Sequence, residues 1–202
     1  LKGEWAGMKE APLPVVLGHE GAAIVQEIGA GVKSVKPGDH VVLSFHPNCG
    51  KCYYCIMGRP NLCDNQMYPK RSRLHKGSQD VTQYSGISTF AEHSVVAEVA
   101  AIPIPSDVGL DKAALVGCGV TTGVGAAINT VSVGAGESVA VFGAGGVGLN
   151  VIQGAAISGA EPLIAIDVKD NKLEYAKKMG ATHVVNASSD DPIKSIKGLT
   201  NG

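Results

Sequence analysis

The spacing of apolar residues divides the chain into three textures. From Val15 to about Leu43, short apolar runs such as Ala22-Ala23-Ile24-Val25 and Val41-Val42-Leu43 are broken by glycine and proline. Runs of this kind predict short strands. Pro37-Gly38-Asp39 between them is turn chemistry, because proline presets φ and glycine admits angles that other residues resist. Residues 44–89 carry little periodic apolar pattern, which predicts a lobe ordered by something other than a core. Phe90–Val96 resumes a strand-like pattern, and Ile102-Pro103-Ile104-Pro105 reads as an extended edge segment.

From about Asp111 the pattern changes to alternating elements. Val139–Phe142 predicts a strand, Gly146 to about Ser158 a helix, and Leu163–Ile166 a second strand. Leu173–Met179 predicts a helix stopped by Gly180, and His183–Asn186 a third strand. Strands alternating with helices indicate an α/β architecture, a parallel sheet with crossover helices. The expected organisation is a β-rich domain over residues 1–119, containing the lobe at 44–89, and a second domain over 120–202.

Composition narrows the partners. The 202 residues hold 17 Lys+Arg against 18 Asp+Glu, a formal charge of −1. That balance lacks the uncompensated basic field that grips nucleic acid or an anionic membrane, so neither partner is expected. No apolar run approaches the roughly 20 residues of a bilayer crossing, and the N-terminus carries no signal pattern, so a cytoplasmic protein is expected. The chain opens on Leu1 and closes on a turn-like Leu199-Thr200-Asn201-Gly202, which reads as truncation at both ends.

Five cysteines are present, four of them at Cys49, Cys52, Cys55 and Cys63, with Cys118 apart. An odd count argues against a complete disulfide framework. In a reducing compartment the cluster is better read as a metal site. Two-residue gaps let a turning backbone aim successive sulfurs at one tetrahedral Zn²⁺, and four protein ligands leave no open position, which makes the site structural. An iron–sulfur cluster also suits four cysteines. A nucleic-acid-binding zinc ribbon would draw on the basic run Lys70–Lys76, which reads more simply as a solvated loop.

Gly143-Ala144-Gly145-Gly146-Val147-Gly148 places Gly143, Gly145 and Gly148 in the spacing of a dinucleotide fingerprint, after a predicted strand and before a predicted helix. Gly143 permits the tight turn, Gly145 lets the backbone approach a pyrophosphate, and Gly148 lets the helix pack close. The helix N-terminus then offers free N–H groups and its positive dipole end to the phosphates. Asp167 closes the next strand, where a carboxylate accepts from ribose hydroxyls and repels a 2′-phosphate, so NAD is favoured over NADP. Lys169 and Lys172 temper that preference. By themselves, His19 and Glu20 in Gly18-His19-Glu20-Gly21 and Cys118 in Gly117-Cys118-Gly119 read as structural residues.

Taken in order and spacing, these motifs, together with Val120-Thr121-Thr122-Gly123, resemble the zinc-dependent medium-chain alcohol dehydrogenases over essentially the whole chain. The resemblance implies a β-rich GroES-like catalytic domain followed by a Rossmann coenzyme domain. It implies that His19 and Cys118 are two of three protein ligands of a catalytic zinc, with Glu20 as the adjacent acidic residue. Thr122 and Val147 match positions along the nicotinamide ring, and Asp167 and Lys172 match positions at the adenosine ribose. The implied activity is hydride transfer between a primary, aryl or thiol-adduct alcohol and NAD, in a homo-oligomer, dimer or tetramer. The family's first zinc-ligand cysteine and the hydroxyl residue that relays the alcohol proton lie upstream of Gly-His-Glu, and residues 1–18 contain no cysteine. The 202 residues alone are therefore expected to be inactive or nearly so. A zinc-ordered, NAD-binding redox sensor is the non-enzymatic alternative.

Overall fold

Leu163–Asp167 is a strand whose five residues are all buried, and its sequence, four apolar residues and one aspartate, explains why it sits inside a sheet. The computed structural model describes residues 13–65 and 73–200. Within them the chain divides into two compact units between Cys118 and Gly119.

The first unit is built from short strands. β2 (Ala22–Ile24) and β6 (Ala101–Pro103) flank β3 (His40–Leu43) in an antiparallel sheet. Val41 and Leu43 of β3 enter a core with Val35, Ile87, Ala100 and Ala101. β1 (Val15–Val16) runs parallel to β5 (Gln79–Gln83), which pairs antiparallel with β4 (Leu74–Lys76). The hairpin β4–β5 falls in the stretch expected to lack regular structure. Its polar, mostly exposed residues gave no apolar alternation to read. Glu98 ties the β2–β3 connection to the segment before β6, its Oε1 accepting the backbone N–H groups of Lys33 and Ser34, both at 2.7 Å. Those bonds hold its carboxyl below the ordinary value.

Phe90–Val96, expected as a strand, forms none. Its groups are spent on other partners. Phe90 N–H donates to Leu17 O at 3.0 Å, Ser94 Oγ donates to Ile87 O, and Val95 O accepts from Gln83 Nε2 at 2.9 Å. Phe90 and Val95 face outward, at 77% and 57% exposure, and only Val96 packs against the core. By contrast, the proline-rich edge segment does lie at a sheet edge, as β6.

α1 (Tyr53–Ile56) is a single turn within the cysteine lobe. Next comes a helical stretch, α2 (Leu110–Leu115) and α3 (Thr121–Gly125), with wider π-type turns at Val116–Val120 and Ala126–Val131. Together they form a 22-residue helix, Leu110–Val131, long and apolar enough to cross a membrane. This corrects the expectation that no stretch approaches that length. Interspersed Gly, Ala and Thr conceal the run, although Ala113–Val131 carries no charge. Those small residues have a packing use in the second unit. A Cβ on Gly123 would lie 2.5 Å from Val147 O, and one on Gly154 would lie 3.0 Å from the Cα of Val124. The backbone of α3 thus meets α4 (Gly146–Ile157) at close range.

The second unit has a parallel sheet ordered β7 (Val139–Phe142), β8 (Leu163–Asp167), β9 (His183–Asn186). α4 crosses from β7 to β8, and α5 (Asp170–Lys178) from β8 to β9. Strand and helix positions agree with the predicted alternation. α5 begins three residues earlier than Leu173 because its first turn is polar, with Asp170 favourably placed at the positive end of the dipole. The core gathers Val141, Ile152, Ala155, Leu163 and Ala165. At the end of the described chain, α6 (Pro192–Thr200) replaces the expected turn at Leu199 and Thr200, while Asn201 and Gly202 lie outside the described residues. Asp191 Oδ1 caps it by accepting the N–H groups of Ile193 and Lys194. Residues 70–72 of the basic run also lie outside the described residues.

Candidate active site and metal centres

The cysteine lobe gathers its four sulfurs within 4.8 Å of one another. A tetrahedral zinc with Zn–S of about 2.3 Å sets its sulfurs about 3.8 Å apart. Cys52 Sγ lies 3.5 Å from Cys55 Sγ and 3.9 Å from Cys63 Sγ, which brackets that separation. Cys49 N–H donates to Cys63 Sγ at 3.3 Å. A multi-iron cluster attaches its thiolates to different irons and spreads them farther, so the spacing fits a single ion. The backbone N–H of Cys55 lowers the Cys52 thiol to about 6, whereas burial, with the neighbouring thiols, pushes Cys55 up to about 11. Four sulfurs this close do not all ionise unaided. A dication bound among them removes that conflict.

His19 contacts two aromatic rings, Phe45 at 5.5 Å and Tyr84 at 6.0 Å, both edge-on. Its loop is anchored to the end of β3, because Leu43 N–H donates to Gly21 O at 2.9 Å. Cys118 reaches the same strand end. A Cβ on its neighbour Gly117 would lie 2.7 Å from Leu43 O. Cys118 occupies the π-type turn Val116–Val120, a geometry often found at functional positions. One strand end thus anchors both motifs, which lie 99 positions apart in the sequence. Among the described residues, no third His, Cys, Asp or Glu joins them in a three-ligand group; the four cysteines alone form one. Glu20 is exposed beside His19.

In the second unit the glycine loop joins β7 to α4. Gly143 has φ +93°, an angle that side chains resist, and a Cβ on Gly148 would sit 1.8 Å from Gly143 O. Gly145 and Gly146 differ, since a Cβ on either meets nothing within 4 Å. The space beside them is open, as a phosphate requires, and the first N–H groups of α4 lack helical partners. Val147 in that first turn is 47% exposed. Thr122, also exposed, adjoins Gly123, which packs against the Val147 carbonyl.

Asp167, 9% exposed, sits beside this loop. Its Oδ2 accepts the Ala144 N–H at 2.8 Å, and its Oδ1 accepts the Lys169 N–H at 3.1 Å. Lys172 Nζ stands 3.7 Å from Oδ2. Burial raises the carboxyl's pKa, but the Ala144 and Lys169 N–H groups and the Lys172 charge outweigh it, so the net shift is downward. Sequence reasoning missed the Ala144 bond, because alanine in the fingerprint signals nothing. It also missed the contacts of Phe45 and Tyr84 with His19, across 26 and 65 positions; the stretch Tyr84–Phe90 resembles the family without pointing to His19.

Residues 1–106 match the family model for the alcohol dehydrogenase GroES-like domain, and residues 146–202 that for zinc-binding dehydrogenases. S-(hydroxymethyl)glutathione dehydrogenase of Saccharomyces cerevisiae is 46% identical over 190 residues, covering 90% of this chain and 49% of that protein. The Synechocystis enzyme of the same name is 47% identical, covering 93% and 53%. The structure of benzyl alcohol dehydrogenase from Acinetobacter calcoaceticus superposes with a TM-score of 0.83 at 38% identity, covering 95% and 54%. The chain spans about half the length of the curated relatives it matches. With its cysteine lobe, glycine loop and β-rich first unit, it belongs to the zinc-dependent medium-chain alcohol dehydrogenase family.

Proposed function

We propose that this chain is part of an NAD-dependent zinc alcohol dehydrogenase that interconverts an alcohol, of the primary, aryl or thiol-adduct type, with its aldehyde. The observation that carries this reading is the anchoring of His19 and Cys118 at one end of β3, in the unit preceding an open glycine loop. Both are suitable donors for zinc, and two protein ligands leave room for a third and for substrate. When bound, zinc supplies Lewis-acid polarisation of the alcohol oxygen, and NAD accepts the hydride.

The chain's own residues do the rest. Phe45 and Tyr84 each meet the His19 ring edge-on, contacts that restrict its motion. Gly145 and Gly146 leave the backbone bare for the pyrophosphate, and Asp167 and Lys172, 3.7 Å apart beside the loop, are the groups we assign to the adenosine ribose. Thr122 and Val147 line the nicotinamide side, and Glu20 offers a carboxylate beside His19. The Cys49–Cys63 lobe holds a structural zinc that takes no part in the chemistry. A soluble cytoplasmic homo-oligomer, dimer or tetramer, without nucleic-acid or membrane partners, accompanies this reading.

Zinc-loaded full-length protein, assayed for NADH formation with benzyl alcohol and S-(hydroxymethyl)glutathione, should turn over at least one of them. The 202-residue chain alone should be inactive or nearly so. A full-length protein that binds NAD and two zinc ions yet oxidises no alcohol would favour the redox-sensor alternative.

A further inference from the structure

The residue that fixes the His19 loop lies in neither of the motifs that flank it. Gly18 and Gly21 bracket His19-Glu20, and the space their missing side chains leave is filled by Thr89 at both glycines, joined at Gly18 by Phe90, whose N and Cδ1 would lie 2.6 and 2.7 Å from a Cβ there. A Cβ on Gly18 would lie 2.5 Å from Thr89 Oγ1, and one on Gly21 would lie 2.5 Å from Thr89 Cγ2 and 2.9 Å from its Cβ. The hydroxyl side of Thr89 therefore abuts Gly18 and the methyl side abuts Gly21.

The backbone is joined at the same place. Thr89 N–H donates to Gly18 O at 3.1 Å, and Phe90 N–H donates to Leu17 O at 3.0 Å. The preceding residue, Ser88, is fully buried with φ +46°, and its Oγ donates to Val16 O at 2.8 Å. Four residues earlier in the same segment, Tyr84 presents its ring to His19. Residues 84–90 thus form a clamp along Val16–Gly18, with Thr89 as the part that enters the loop.

The hydroxyl of Thr89 is buried and has no hydrogen-bond partner among the described residues. An unpaired buried hydroxyl destabilises, so hydrogen bonding does not account for the residue. Its shape does.

We propose that Thr89 is the positioning residue of the His19 loop, a β-branched wedge whose two arms fill the gaps at Gly18 and Gly21 and hold His19 where a metal can use it. The inference rests on the reading of His19 as a metal ligand. β-Branching matters because it locks χ1, so the wedge keeps one orientation. Valine has the same outline, and alanine lacks both arms.

The test uses full-length protein reconstituted with Co²⁺, as wild type, Thr89→Val and Thr89→Ala. Co²⁺ affinity at the His19 site is read by chelator competition and its visible absorption bands, with the four-cysteine site as internal control. Hydrogen exchange at the Thr89 and Phe90 amides reads the loop without reference to metal. Thr89→Ala should weaken Co²⁺ at the His19 site by on the order of tenfold, alter its absorption bands and accelerate both amides. Thr89→Val should match wild type in all three measurements, and the four-cysteine site should be unchanged throughout. Wild-type behaviour in Thr89→Ala, or a loss in Thr89→Val equal to that in alanine, overturns the inference. If wild type takes up metal only at the four cysteines, the proposed function fails instead, and the exchange rates still decide whether Thr89 is the wedge.

Discussion

The cysteine lobe and the β7–β9 sheet both present ligand-binding groups, but their order has different sources. In the lobe, α1 and the turn after it at Pro60–Leu62 bury no residue, and Tyr53, Ile56 and Met57 are 69%, 74% and 60% exposed. Cys49 and Cys55 of its four cysteines are only half-buried. In the sheet, Leu163–Asp167 is buried throughout, and Ile152 and Ala155 of α4 have no exposed surface. The lobe therefore depends on what it binds, whereas the sheet is ordered before it binds anything. A metal site can be the cause of a local fold, and a dinucleotide site is a by-product of one.

The strongest way to break that comparison is to remove the metal. Stripping zinc, or the substitution Cys52→Ser, should expose residues 49–63 to protease while the β7–β9 sheet stays intact, because structural zinc is worth about 10–16 kcal/mol in small domains. Zinc content and limited proteolysis measure both halves. A lobe that survives chelation uncut has a core that the burial pattern does not show.

The converse perturbation acts on the sheet. Gly148→Ala places a methyl 1.8 Å from the Gly143 carbonyl oxygen, so α4 must move away from the turn. It should cost about 3 kcal/mol and abolish measurable NAD binding, with the lobe's zinc unchanged. Thermal melting and NAD titration read the two effects.

Asp167→Asn is milder. It keeps the side chain's outline but removes the charge that Ala144, Lys169 and Lys172 address, at about 1–2 kcal/mol. NAD binding should weaken, and the preference over NADP should narrow, as measured by the ratio of the two dissociation constants. An unchanged ratio would remove Asp167 from the ribose.

The smallest effect is one of pH. The Asp167 carboxyl is held below its ordinary 3.8 in the folded chain. A depressed carboxyl stabilises the fold fully above its unfolded value, and that contribution disappears as pH falls through the folded value. Melting temperature should therefore fall with acidification below 3.8, and Asp167→Asn should reduce the slope. Equal slopes in the two proteins would show that another carboxylate governs acid stability.

The sequence was most readable where local pattern and tertiary role coincide. β7, β8 and β9 are buried apolar runs bounded by turn residues, so their position followed from composition. The four cysteines were readable for the same reason, since the spacing of ligands in the chain nearly is their spacing in space. His40–Leu43 and Ala22–Ile24 were readable as strands, whereas Phe90–Val96 has an equal pattern and is none. The difference lies in partners: β3 has a neighbour on each side, and Phe90–Val96 is bound by Gln83, Ile87 and Leu17 instead. The helix Leu110–Val131 was hidden by glycines that serve packing on α4. The contacts of Thr89 and Tyr84 with the His19 loop were not legible, because they join positions some 65 to 70 apart.

The close approach at Gly148 also has a meaning for mutational tolerance. A saturation library at position 148 should return glycine alone among folded proteins, since every other side chain begins with the atom that collides. Libraries at 145 and 146 should return many folded members, because the space there is open, and those members should have lost the dinucleotide. Within four consecutive residues, then, selection for stability and selection for binding act on different positions, and the loop's glycines, alike in the sequence, answer to different constraints.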